Sequence, residues 1–133
     1  MNARLLLAAL ASLLLTAACG GQQAASTSSS KPGGPKIELA GTTPSPCPAA
    51  RCQVAVLVKN DQGQPIENAD VRYDARHTSM GHGGVSAVAE NRGTGRYEGT
   101  VNFSMAGDWN VGVQVRLPGD NNVYAETLKL GVQ

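Results

Sequence analysis

The chain has 133 residues, with 11 Lys and Arg against 10 Asp and Glu, a formal charge of +1. Neither sign forms a run, so neither a nucleic acid nor an anionic surface is an evident partner. Beyond its N-terminal stretch the length leaves room for one domain able to bury a modest core.

Met1 to Arg4 is a short positive start, and Leu5 to Leu15 is an apolar run of Leu and Ala broken only by Ser12. The run is too short to span a bilayer as a permanent helix and has the form of a secretory signal. It ends in Leu15-Thr16-Ala17-Ala18-Cys19, where small residues before a cysteine resemble the bacterial lipobox, with Thr16 where leucine is commonest. The expectation is a lipoprotein: signal peptide 1–18, cleavage before Cys19, diacylation of that thiol, and anchorage to a cell or outer membrane facing the periplasm or exterior. Two or three acyl chains hold a protein firmly where one does not. Residues 19–35 are rich in Ser, Gly, Gln and Pro and are expected to form a flexible tether. Residues 36–133 are expected to form the domain.

Cys47 and Cys52 flank Cys47-Pro48-Ala49-Ala50-Arg51-Cys52. In an exported chain thiols oxidise, so the favoured reading is a local disulfide pinning the loop that enters the first long strand. The competing reading is a thiolate metal pair, although this spacing is not a strong metal signature.

From Gln53 onward the pattern is of strands and turns. Gln53 to Lys59 is β-branched and ends in the turn formers Asn60-Asp61-Gln62-Gly63. Ala69 to Ala75 alternates Val71, Tyr73 and Ala75 with polar neighbours, the period of a half-buried strand. Val85 to Glu90 predicts a third strand, Asn91 to Gly95 a hairpin loop, and Arg96 to Phe103 a further alternating strand. Gly107-Asp108 reads as another turn. Trp109, Val111, Val113 and Val115 share a face of the next strand, Pro118 to Asn122 turns the chain, and Val123 to Leu130 closes the domain. Ile37 to Leu39 adds a short edge strand. Seven short strands without a 3.6-residue apolar stripe predict an all-β antiparallel sandwich of immunoglobulin-like kind, with a small open barrel as the alternative.

Nothing in the chain has the pattern of an enzyme. His77 and His82 lie in one segment beside Ser79 without a nucleophile elbow, and Gly81, Gly83 and Gly84 precede no strand-to-helix turn that would cradle phosphate. What stands out is the placing of soft donors. Beyond Met1 the chain has two methionines and two histidines, and three of these four fall within His77-Thr78-Ser79-Met80-Gly81-His82. In an extended segment Met80 and His82 point the same way, and a thioether with an imidazole suits copper, Cu(I) above all. Met105 follows the Tyr97 to Phe103 strand, and a sandwich can carry that strand end to the same loop. Trp109 and Tyr97 read as packing anchors, and the alternative readings of the donors are that Met105 fills a gap in the core and His77 is a solvated loop residue.

At these residues the sequence resembles the YtkA-like family, which includes FixH-type proteins. The resemblance runs over about Gly63 to Val115, through Pro65-Ile66-Glu67-Asn68-Ala69-Asp70-Val71, Met80-Gly81-His82-Gly83, Gly95-Arg96-Tyr97 and Val101 to Trp109. Where the family often has Met-Pro-x-Met-x-His, this chain has His77 and Thr78 in the first two places, which alters the expected donor set. The resemblance implies an Ig-like sandwich and extracytoplasmic copper handling, in resistance or in delivery to respiratory oxidases. Two functional classes follow. One is a membrane-anchored copper chaperone or buffer in which Met80, His82, Met105 and His77 are the candidate ligands and a membrane protein receives the metal. The other is a non-enzymatic Ig-like interaction module of a membrane transport or assembly complex.

Overall fold

A computed structural model describes residues 33–80 and 84–133. The signal peptide, Cys19, most of the tether and His82 therefore lie outside the described residues. Among those described there is no helix, and none long and apolar enough to cross a membrane.

Seven strands form, β1 Lys36–Thr43, β2 Arg51–Lys59, β3 Asp70–His77, β4 Val85–Asn91, β5 Arg96–Asn102, β6 Gly107–Arg116 and β7 Val123–Val132. All neighbouring pairs are antiparallel, in the order β1-β2-β5-β4-β3-β6-β7. The ribbon folds into two layers at β4. Val85 to Ala89 pairs with β3, whereas Glu90 and Asn91 pair with Glu98 and Tyr97 of β5, so one strand serves both sheets.

The period of two explains the layers. Val54, Val56 and Val58 of β2 and Tyr97 and Val101 of β5 face Val71, Tyr73 and Ala75 of β3 and Trp109, Val111, Val113 and Val115 of β6, all buried. Leu128, Leu130 and Val132 extend the same core along β7. Each buried valine or leucine among them contributes about 1.5–3 kcal/mol on removal from water. Two tyrosines carry polar ties through this apolar layer. The Tyr73 hydroxyl, on one sheet, donates to Val54 O at 3.0 Å and approaches Tyr97 O at 3.3 Å on the other. The Tyr97 hydroxyl donates to Ile66 O at 2.7 Å and accepts from Ala69 N–H at 3.0 Å, fixing the β2–β3 connection. Burial pushes both phenols above their ordinary pKa and keeps them protonated donors. Gly99 makes the crossing of β4 over β5 feasible, because a Cβ there would lie 2.8 Å from Tyr73 Cε2 and 2.9 Å from Val88 O.

The β1–β2 connection fastens to the end of β7. Cys47 bridges Val132, Gln133 N–H donates to Cys47 O at 2.9 Å, and Ala49 N–H donates to Gln133 O at 2.6 Å. Cys47 and Cys52, both buried, are joined by a disulfide with their Cα atoms 5.5 Å apart.

Three local expectations need correction. Gly107 and Asp108 do not turn the chain; they open β6, paired with Val132 and Gly131, and the turn lies at 103–106. His77 is not a loop residue but the last residue of β3, opposite Trp109. The edge strand β1 is longer than Ile37 to Leu39, because pairing with β2 resumes after a register shift between Leu39 and Gly41. Such a bulge breaks the alternation from which a strand is read.

Candidate metal centre

The registers decide what meets at each end of the sandwich. At one end β2 begins opposite the last residue of β5 (Arg51 with Asn102), β3 ends opposite the start of β6 (His77 with Trp109), and β7 ends (Val132 with Gly107). The β3–β4 loop with Met80, the β5–β6 turn with Met105 and the disulfide loop therefore share one rim. At the other end β1 starts, with Lys36 opposite Lys59.

Main-chain bonds hold the start of the Met80 loop to β6 and close it back on the end of β3. Thr78 N–H donates to Asp108 O at 2.9 Å, and Met80 N–H donates to His77 O at 3.2 Å. Phe103 N–H donates to Ala50 O at 2.9 Å, tying the disulfide loop to the strand that leads to Met105. Trp109, 1 % exposed, is the hub beneath. Its indole N–H donates to Met105 O at 3.1 Å, its ring packs edge-on against Phe103 with centroids 5.1 Å apart, and His77 stands edge-on to it at 5.3 Å.

The donors differ in how free they are. Met80 is 48 % exposed on a polar loop, where its sulfur is open to solvent-borne partners. Met105 is half-buried and packs against the core. His77 is half-buried and its ring is engaged on both sides: Ser79 N–H and Ser79 Oγ lie 3.2 and 2.8 Å from Nδ1, and Nε2 lies 3.3 Å from Ala106 O. Gly107 lets that ring lie where it does, since its φ is +128° and a Cβ there would stand 2.5 Å from His77 Nε2. The fourth candidate, His82, lies outside the described residues. None of Ser79, Ala106 and Gly107 was among the candidate donors read from the sequence. A serine two residues after a histidine is a weak local signal for such a bond, and Gly107 was taken for a turn.

Among the described residues no group of three or more His, Cys, Asp or Glu side chains stands together as a metal site. Cys47 and Cys52 offer no thiolate while bonded to each other. What the rim offers a metal is sulfur of the thioether kind, a class of donor that selects soft, monovalent copper over hard divalent ions.

These features define a class, the small Ig-like sandwich with a methionine-bearing rim. The chain belongs to the YtkA-like family, whose profile matches residues 30–114 and so spans β1 through most of β6, both methionine loops included. The match reaches further toward the N-terminus than the motifs beginning at Gly63. No curated protein matches the chain. Among solved structures, the crystal structure of the Lin-41 filamin domain is similar, with TM-score 0.51 and 14% identity over 75% of this chain and 97% of that one. That likeness speaks to the fold alone.

Proposed function

We propose that the protein is an exported lipoprotein, anchored through Cys19, that binds Cu(I) at this rim and passes it to, or buffers it for, a membrane protein. Met80, His82 and Met105 are the proposed donors, with His77 beside them. No catalytic turnover is required. The observation that carries the reading is that the Met80 and Met105 loops stand at the same end of the sandwich, where the His77 ring lies 3.2 Å from Ser79 N and 3.3 Å from Ala106 O. The chain's only thioethers beyond Met1, 25 residues apart in sequence, belong to loops at the same end of the sandwich. Family membership adds weight to the same reading.

The test is Cu(I) binding by the whole chain in competition with a chelator of about micromolar affinity, a Kd equivalent to about 8 kcal/mol. Met80→Leu and Met105→Leu keep volume while deleting sulfur, so each should weaken binding at a folding cost under about 1.5 kcal/mol. His82→Ala should weaken it further, and Zn(II) should compete poorly. If the wild-type chain takes no Cu(I) from the chelator, or all three variants match it, the rim is a protein-contact surface instead, with Met80 as an apolar contact.

A further inference from the structure

The His77 ring sits between two groups whose hydrogen-bonding roles are fixed. A backbone N–H only donates, so Nδ1, facing Ser79 N–H at 3.2 Å, must be the unprotonated acceptor. A backbone carbonyl only accepts, so Nε2, facing Ala106 O at 3.3 Å, must carry the proton. Together these select the neutral Nε2–H tautomer. The Ser79 hydroxyl, 2.8 Å from Nδ1, acts as a second donor in that arrangement. An imidazolium would place a proton on Nδ1 against Ser79 N–H, and a metal on either nitrogen would displace one of the two backbone partners.

Each bond leads to a methionine loop. Ser79 precedes Met80, and Ala106 follows Met105, whose own carbonyl is held by the Trp109 indole against which the His77 ring packs. Gly107 clears the space the ring occupies. We infer that His77 is a positioning residue: in its Nε2–H form it clasps the Ser79 and Ala106 backbones together and so sets the spacing of Met80 and Met105, without itself ligating the metal. The part of this that concerns donors rests on the copper reading; the clasp does not.

Two measurements on the whole chain, labelled with ¹⁵N at histidine and tryptophan, separate these parts. Without metal, the His77 ring should show one protonated nitrogen, Nε2, and the Trp109 indole N–H should exchange slowly with solvent. His77→Ala should speed that exchange, and His77→Gln, whose amide N–H can still donate to Ala106 O, should restore part of the protection. A mixture of tautomers in the wild type, or indole exchange unaltered by His77→Ala, overturns the clasp. On addition of Cu(I), the His77 nitrogens should hold their pattern, while affinity falls about 10- to 100-fold in His77→Ala, as for residues that orient ligands, and recovers partly in His77→Gln. Loss of the Nε2 proton on metal binding, or wild-type affinity in His77→Ala, overturns the positioning role. A chain that keeps the tautomer and the indole protection yet binds no Cu(I) overturns the copper reading and supports the clasp alone.

Discussion

Gly107→Ala should be the most costly single-methyl addition at the rim, and the molecule supplies its own control. Gly107 has φ +128° and Gly119 has φ +73°, both in the region that L side chains rarely adopt. An alanine at Gly119 meets nothing within 4 Å and so reports backbone strain alone, about 1–2 kcal/mol. At Gly107 the new methyl would lie 2.5 Å from His77 Nε2 and 3.3 Å from Cε1. The ring must move, and with it goes the bond to Ala106 O, about 0.5–1.5 kcal/mol, on top of backbone strain of about 1–3 kcal/mol. The expected cost is about 3 kcal/mol, or at least about 1 kcal/mol more than Gly119→Ala. In urea unfolding, with a slope of about 1–2 kcal/mol/M for a chain this size, the Gly107→Ala midpoint should fall below that of Gly119→Ala by about 0.5–1 M at unchanged slope. Equal midpoints would mean that the ring yields freely and that neither the steric argument nor the His77 contact has the weight assigned to it.

Other perturbations test other parts of the frame. Tyr73→Phe deletes one buried oxygen that ties the two layers and should lower stability by about 1 kcal/mol, or roughly 4–8 °C in melting temperature, with no shift in the Trp109 fluorescence. Replacing Cys47 and Cys52 together by alanine should cost about 2 kcal/mol on the chain-entropy account of a six-residue loop, and thiol titration of the wild-type chain under denaturing, non-reducing conditions should count neither cysteine. Glu98 is held below its ordinary pKa of 4.5, first by the hydrogen bond from Arg96 and then by the charges of Arg96 and Arg92. Its stabilisation is therefore present above pH 4.5 and disappears as pH falls through the lowered value, so Glu98→Gln should flatten the acid limb of a stability profile below that pH. Cys19→Ser should abolish acylation and normal processing; an intact mass of the native protein without acyl groups, or with a different mature N-terminus, refutes the anchor.

The strands with unbroken alternation were legible because each buries one face: Val71, Tyr73 and Ala75, or Trp109 through Val115, state their side of the sheet in the sequence itself. What the pattern does not encode is pairing across layers. Nothing local marks β4 as the strand that changes sheets after Ala89, since Glu90 and Asn91 find β5 only once the layers are stacked. Gly107 was misread for a related reason. A glycine before an aspartate has the composition of a turn, and its true cause, the His77 ring 30 positions earlier in the chain, is a tertiary contact. The candidate donors were legible as residue types because methionine and histidine are scarce here. Their relation was not, because it depends on contacts from the His77 ring to the Ser79 and Ala106 backbones that exist only once β3 and β6 are paired.

The start of β1 sets where any N-terminal anchor joins the domain. The chain leads back toward Cys19 from Lys36, which pairs with Lys59 at the end of the sandwich remote from Trp109. The nine residues of β2 that separate the two ends span about 30 Å. The 17 residues from Cys19 to Lys36 extend at most about 60 Å. On the proposed anchorage at Cys19, a reach about twice the length of the sandwich would let the methionine end turn toward a partner close to the lipid or one that stands well away from it.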